Sequence, residues 1–396
     1  MSRIEELIDK LCPDGVEYKA LWEVTLWDKK FNSLENWKQP KILSFKHLLS
    51  SELKSLNQTY GSIKLLSTGK FDGYTSEDIA ADYINEGEII AIPSGGSANI
   101  KYYNGKFIDS GNILGCSLNS KIISLKFCYY ILLTKKDLIE NYYRGSGVKH
   151  PSMSEILSIK IPIPPIAIQE EIVRILDKFT ELEAELEAEL EARKKQYEYY
   201  RNHLLTPKEV NGKWYLNGKE VKWEKLEKLC VNIFSGKNKE RDDKGKYNIY
   251  GSTGIIGKTN NYAYDEEQIL IARVGANAGF VNIAEGKYDV SDNTLIVQIT
   301  NEIKFKFLYH LLVYLKLNQF TKGGGQPLLT AGQIKKIKIP VPPLSEQNRI
   351  VSILDKFDAL ANDISIGLPA EINARKKQYE YYREKLLTFK EKIKNN

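Results

Sequence analysis

The chain has 396 residues, with 57 Lys plus Arg against 51 Asp plus Glu (formal charge +6) and 42% hydrophobic residues. That length exceeds one compact core and points to two or three domains, and the apolar content excludes a disordered chain. No run of about 18 apolar residues is present to cross a membrane, and the four cysteines (Cys12, Cys116, Cys128, Cys230) and four histidines (His47, His150, His203, His310) are too scattered for a disulfide framework or a zinc site.

The first stretch, MSRIEELIDKLCPDG, carries acids where a secretory signal needs an apolar run, so a cytoplasmic protein is expected. A first globular segment follows, to residue 154. Residues 160–179 then read KIPIPPIAIQEEIVRILDKF and residues 338–357 read KIPVPPLSEQNRIVSILDKF, identical at thirteen of twenty positions. ARKKQYEYYR occurs at 192–201 and again, unchanged, at 374–383. Ten identical residues in a row mark a duplicated unit. Weaker echoes join the intervening segments: GVEYKALWEV with EVKWEKLEKL, GEIIAIPSGGSAN with EQILIARVGANAG, NGKFIDSGN with EGKYDVSDN, and YRGSG with TKGGG. The order is variable segment, helix, variable segment, helix, with expected boundaries at 1–154, 155–206, 207–333 and 334–396.

Each helical block opens with prolines (Pro162, Pro164, Pro165; Pro340, Pro342, Pro343) that hold an extended approach. Ser345 is placed to cap the second helix, whereas Ala167 offers the first no cap. Apolar residues then recur every three or four positions, through Ile172, Leu176, Phe179, Leu182, Leu186 and Leu190 to Tyr197, Tyr200 and Leu204. The spacing predicts a helix over 169–205, about 55 Å long at 1.5 Å per residue. Such a helix needs a long partner, and the other copy supplies one as an antiparallel pair. Three ELEA units (181–192) form an acidic spacer with one leucine seam. In the second copy, Gly367 and Pro369 are expected to interrupt the helix.

Charge is uneven: residues 1–150 net +1, 151–206 net −4, 207–337 net +6 and 338–396 net +3. Basic globular segments with an acidic rod are compatible with duplex binding. Catalytic motifs fail. GSTGIIGKT (251–259) has Ser252 where a phosphate loop needs glycine, so its glycines are expected to shape a turn. IPPI (163–166) and VPPL (341–344) lack the amide or carboxylate, and the aromatic ring, with which DNA amino-methyltransferases hold a flipped base.

Two variable segments alternating with near-identical helices that open in KIPxPP and end in ARKKQYEYYR resemble the specificity subunit of type I restriction-modification systems, over essentially the whole chain. The resemblance implies an α+β protein in which two target recognition domains, each a small twisted sheet plus helices, alternate with two long antiparallel coiled-coil-like helices in a pseudo-twofold repeat. It implies that each domain reads one half of a split, asymmetric site in double-stranded DNA. The helices then set the spacer and dock two methyltransferase subunits, with ELEA resembling the family's spacing repeat. Methylation falls to those partners and translocation with cleavage to a motor (restriction) subunit, leaving this chain non-catalytic, without cofactor or metal. The N-terminal segment is expected beside the C-terminal helix. Two other readings fit the residues: a specificity protein for a system whose methyltransferase and nuclease share one chain, and a coiled-coil adaptor with protein-binding ends. Candidate DNA contacts are polar or cationic residues in glycine-rich loops: Lys64, Lys70, Asn99, Lys101, Arg144 and Lys149 in the first domain, and Lys258, Asn260, Arg273, Asn277, Lys322 and Gln326 in the second. Arg144 and Arg273 stand out, because arginine beside glycine can reach guanine bidentately.

Overall fold

The computed structural model describes residues 3–242, 244–322, 326–362 and 367–392. The chain divides into two compact units, Met1–Glu185 with Asn373–Asn396, and Leu186–Ile372.

The first unit is built on a six-stranded sheet in the order Thr25–Trp27, Asn112–Ser117, Asn85–Pro93, Lys101–Ser110, Ile63–Ser67, Asp72–Thr75. Its central strand carries the run Ile89–Ile92, apolar at every position and buried on both faces. One face is covered by the helix Leu125–Thr134, apolar around most of its circumference and capped by Ser124, whose hydroxyl accepts the Phe127 N–H. Chain ends meet here: the Val16 N–H donates to the Lys390 carbonyl and the Lys392 N–H to the Val16 carbonyl, each at 2.9 Å. Ile4, Leu386 and Leu387 share the same core, as expected for the N-terminal segment.

The second unit repeats this sheet with one break. Cys230–Ser235, Thr294–Ile299, Gln268–Ala272 and Val281–Ala284 form four strands, and Gly254–Thr259, Tyr247–Gly251 and Tyr288–Val290 form a separate three. The single strand Lys101–Ser110 of the first unit corresponds to two strands here, Val281–Ala284 and Tyr288–Val290. The division falls at the glycine shared by NGK and EGK. Gly105 (φ +138°) keeps the strand paired, whereas Gly286 (φ +71°) is left-handed and ends it. The unit opens on an added meander, Lys208–Val210, Lys213–Leu216 and Lys219–Glu220. Both of its Asn-Gly turns have positive φ at both central residues, the geometry that suits right-twisted hairpins. GSTGIIGKT is a hairpin turn between two strands, with no helix after it to cradle a phosphate.

The repeated blocks begin alike. KIPI (160–163) pairs antiparallel with EYKA (17–20), and KIPV (338–341) with KWEK (222–225), in the same register. The first helix then runs Ile166–Leu205, forty residues or about 60 Å, starting three residues before the expected Gln169. The second starts at Leu344, because the Pro343 carbonyl already accepts the Glu346 and Gln347 N–H groups. Ser345 therefore lies inside the first turn and caps nothing, a correction to the expected cap. A glutamine common to both copies fastens each turn instead. Gln169 Nε2 donates to the Pro164 carbonyl (2.7 Å) while its Oε1 accepts the Ser124 N–H (2.8 Å). Gln347 repeats this with the Pro342 carbonyl (2.9 Å) and the Lys304 N–H (2.8 Å).

Within each unit the helices pair antiparallel. In the first, Phe179 stacks on Tyr382 (5.6 Å between centroids) and Lys376 meets Glu183; in the second, Tyr200 stacks on Phe357 at 4.9 Å. The second helical block is two helices, Leu344–Asn362 and Leu368–Leu387. The Gly367 carbonyl accepts the Ala370 and Glu371 N–H groups, so Gly367 stands at the start of the second, where an interruption was expected. Residues 363–366 lie outside the described set.

Candidate nucleic-acid interface

Each unit brings three loops to one end of its sheet, and they are the segments that the repeat pairs in sequence. In the first, the loop after strand Asn85–Pro93 lies against the loop 143–151: the Gly96 N–H donates to the Lys149 carbonyl (2.8 Å), the Tyr143 hydroxyl donates to the Pro93 carbonyl (2.8 Å), and His150 Nδ1 lies 2.6 Å from the Ser94 carbonyl oxygen. The turn 109–112 closes the group through the Ser94 N–H to the Gly111 carbonyl, 3.2 Å. In the second, the Gly275 N–H donates to the Pro327 carbonyl (3.0 Å), the Leu329 N–H to the Arg273 carbonyl (2.8 Å) and the Arg273 N–H to the Asn293 carbonyl (3.0 Å). Gly279 (φ +93°) has no room for a side chain, since a Cβ there would lie 2.3 Å from the Asn318 nitrogen.

The sequence-based candidates gather on these platforms or on the adjoining hairpins. Lys149 lies in loop 143–151, and Asn277, Lys322 and Gln326 in the paired loops of the second unit, all four exposed. Lys70 is exposed at the tip of hairpin 63–75, and Lys258 on strand Gly254–Thr259. The other six have side-chain partners within the protein. Arg144 pairs with Glu155 (2.7 Å) and Asn260 bonds to Asp242 (2.7 Å). Lys64 pairs with Asp72 and lies over the Tyr74 ring. Asn99 donates to the Gly69 carbonyl at 2.8 Å, and Lys101 to the Ser67 (2.6 Å) and Gly69 (2.8 Å) carbonyls. Burial of the Lys101 ammonium holds its pKa below the ordinary lysine value. Arg273 donates to Ser235 Oγ at 2.8 Å, while its buried Nε has no partner.

Two braces beneath the platforms have no sequence signal. His47 Nδ1 lies 2.8 Å from Asp109 and its Nε2 3.1 Å from Asp28, both carboxylates almost wholly buried. Hydrogen bonds to Asp109 and Asp28 raise its pKa to about 9. Asp109 also accepts the Asn112 side-chain amide (2.6 Å), so this cluster fixes the turn 109–112. In the second unit, Asn238 donates to Asp289 at 2.7 Å. The His47–Asp109 and Asn238–Asp289 links join residues 62 and 51 apart, beyond any local pattern.

The second unit is also tied to its helices. His310, fully buried, lies 3.1 Å from the Tyr197 hydroxyl and 2.8 Å from Asp355. Tyr130 takes the same position in the first unit, donating to Asp177 at 2.5 Å. Among the described residues no helix is long and apolar enough to cross a membrane.

Two similar α+β domains, each presenting a polar loop platform and each carried on repeated helices, define a duplicated recognition scaffold. Residues 45–192 and 220–374 match the family model of the type I restriction modification DNA specificity domain. The chain is 32% identical over 426 aligned positions to the Escherichia coli type I restriction enzyme EcoR124I/EcoR124II specificity subunit, covering 98% of this chain and 97% of that one. It is 35% identical over 255 positions to the E. coli EcoprrI specificity subunit, covering 61% and 63% of the two chains. Its fold is similar to that of a Mycoplasma genitalium type I restriction-modification S subunit, with a TM-score of 0.65 at 19% identity over 94% of this chain and 96% of that one. The chain therefore belongs to the type I restriction-modification specificity subunit family, and carries two copies of its DNA specificity domain.

Proposed function

We propose that the chain reads a bipartite, asymmetric site in double-stranded DNA, with recognition domains at 1–154 and 207–333 each taking one half, through the loops 94–99 with 143–151 and 272–279 with 326–329. Side chains there reach base edges while neighbouring cations engage phosphates. The helical regions, 155–206 and 334–396, set the spacer and dock two methyltransferase subunits. The chain itself catalyses nothing: base methylation belongs to the docked subunits and cleavage to a motor subunit of the cytoplasmic complex. The observation that carries this reading is the repeated loop pairing, the same three-segment platform occurring twice with different polar side chains while the helix block ARKKQYEYYR is unchanged. Such a pattern suits two different targets and one partner used twice. The test is to map methylated bases in a genome that expresses the chain with its methyltransferase. A split motif of two unlike halves is expected, and methylation without a split motif would reject the reading.

A further inference from the structure

Beside the first platform lies a polar recess of about 460 Å³, lined in part by Lys64, Lys70, Asp72, Asn99, Lys101 and Tyr103. Three lysines face one carboxylate there, so the recess carries excess positive charge. It is also where the hairpin 63–75 is latched to the platform. Lys101 Nζ donates to the Ser67 carbonyl (2.6 Å) and the Gly69 carbonyl (2.8 Å), and Asn99, in the platform loop 94–99, donates to the Gly69 carbonyl (2.8 Å). The hairpin tip is thereby held against the loop.

The three ammonium groups are not equivalent. Lys64 is neutralised, since it pairs with Asp72 and lies 4.3 Å from the centre of the Tyr74 ring. Lys101 donates to two neutral carbonyls, and because an ammonium has three N–H donors, one is left over. Burial lowers its pKa, and the attraction of Asp72 and Asp109 does not offset that burial. Lys70 is exposed on the tip and, among the described residues, makes no side-chain hydrogen bond or ion pair. Two cationic donors therefore line the recess without a hydrogen-bonded counter-ion. The shape of the site decides which part of a duplex can reach them. Base edges lie on the floor of a major groove about 8.5 Å deep, where only a projecting side chain reaches them. Lys101 stands on a strand inside the recess and cannot enter a groove, whereas phosphates stand on the outside of the duplex and can enter the recess.

We infer that the recess seats one backbone phosphate of the duplex beside the first half-site, held by Lys70 and by the remaining N–H of Lys101. Such a contact fixes the register of the platform on the duplex and carries no sequence information. The inference rests on the DNA-reading role proposed above, and the experiment separates the two. Binding is measured with the full methyltransferase complex, on a duplex carrying the mapped motif and on a scrambled duplex. Lys70→Gln should weaken binding to both about tenfold. It should reduce the slope of log affinity against log salt by about one and leave the methylated motif unchanged. Methylphosphonate linkages, which are neutral, are then placed one at a time along the first half-site and its flanks. One position should weaken the unaltered complex and have no further effect on Lys70→Gln. A relaxed base in the first half-site makes Lys70 a base reader and overturns the inference. So does an unchanged salt slope, or a scan in which no phosphate shares its effect with Lys70. If a folded Lys70→Gln chain no longer retains the methyltransferase, Lys70 is a protein contact and the inference falls. Each of these outcomes leaves the DNA-reading role standing. An unaltered complex that does not distinguish the motif from scrambled duplex overturns that role itself.

Discussion

His47 bridges two buried carboxylates, and that geometry makes it a pH-dependent support for the first recognition domain. Its pKa stands near 9 in the fold, against about 6.5 for an unperturbed histidine. The stabilisation it gives is fully present below pH 6.5 and is lost as pH rises through 9. His47→Ala leaves Asp28 and Asp109 facing each other without a cation, at a cost of about 3 kcal/mol. Thermal unfolding should show this loss at pH 7 and a much smaller difference at pH 10; an equal loss at both would assign His47 a purely steric role. His310 has the opposite sign. Burial lowers its pKa despite Asp355, so the neutral ring, with Nδ1 accepting from Tyr197 and Nε2–H donating to Asp355, is the stable form. Its contribution is present above pH 6.5 and falls away as pH drops toward the lowered folded value. His310→Ala should cost about 3 kcal/mol at pH 7 through cavity and lost bonds together, measured by denaturant unfolding. Neither histidine was legible as a support, because each partner lies 45 or more residues away, or, for Asp28, across a different element. Arg144 shows the same limit: glycines flank it in sequence, but Glu155, on the short helix Met153–Leu157, occupies its guanidinium.

At the scale of elements, the repeat made most of the architecture legible. Identical residues proved to be those with a fixed mechanical job: Gln169 and Gln347 fastening the proline turns, Tyr200 and Tyr382 stacking on phenylalanines, Asp177 and Asp355 tying helix to domain. Two features were not legible. The division of one long strand into two depends on which positive φ Gly105 and Gly286 adopt, and glycine permits both. Ser345 has the chemistry of a cap, but the helix starts at Leu344, two residues before the start such a cap would set, and the Pro343 carbonyl takes that role from it. The ELEA units form a solvated stretch of helix with one leucine seam. Leu182, Leu186 and Leu190 are half-buried, most of the acids are exposed, and the helix runs unbroken through Glu185 and Leu186, where one compact unit gives way to the next. Removing residues 185–188 shortens this helix by about 6 Å, comparable to two base-pair steps at about 3.4 Å each. Methylation mapping should then show both half-sites unchanged and the spacer shortened by one or two base pairs. A changed half-site with a constant spacer would remove the ruler role from ELEA.

For the whole molecule, the decisive property is that each domain's platform is closed within its own unit. The loops 272–279, 289–293 and 326–329 bond to one another, and their sheet packs on the helix Phe305–Tyr314 with a core that includes Phe307, Leu311, Ile269 and Val297. Links from that core to the helices run through shared residues such as Asp355 and Gln347, which the repeat keeps in both copies. A foreign recognition domain that supplies a histidine or tyrosine at the position of His310, and a backbone N–H at the position of Lys304, meets the same supports. Exchanging residues 207–333 for such a domain should therefore give a folded chain whose second half-site is replaced, with the first half-site and the spacer unchanged. The readout is the methylated motif, together with retention of the methyltransferase during purification. If the exchange alters the first half-site as well, recognition is not divided between the domains. If it abolishes methyltransferase retention in a folded chain, docking depends on the variable segment rather than on the repeated helices. The modest charge of +6 bears on the same point. Its concentration over 207–337 means that an acidic replacement domain should weaken binding and flatten its salt dependence even where its sequence preference is intact.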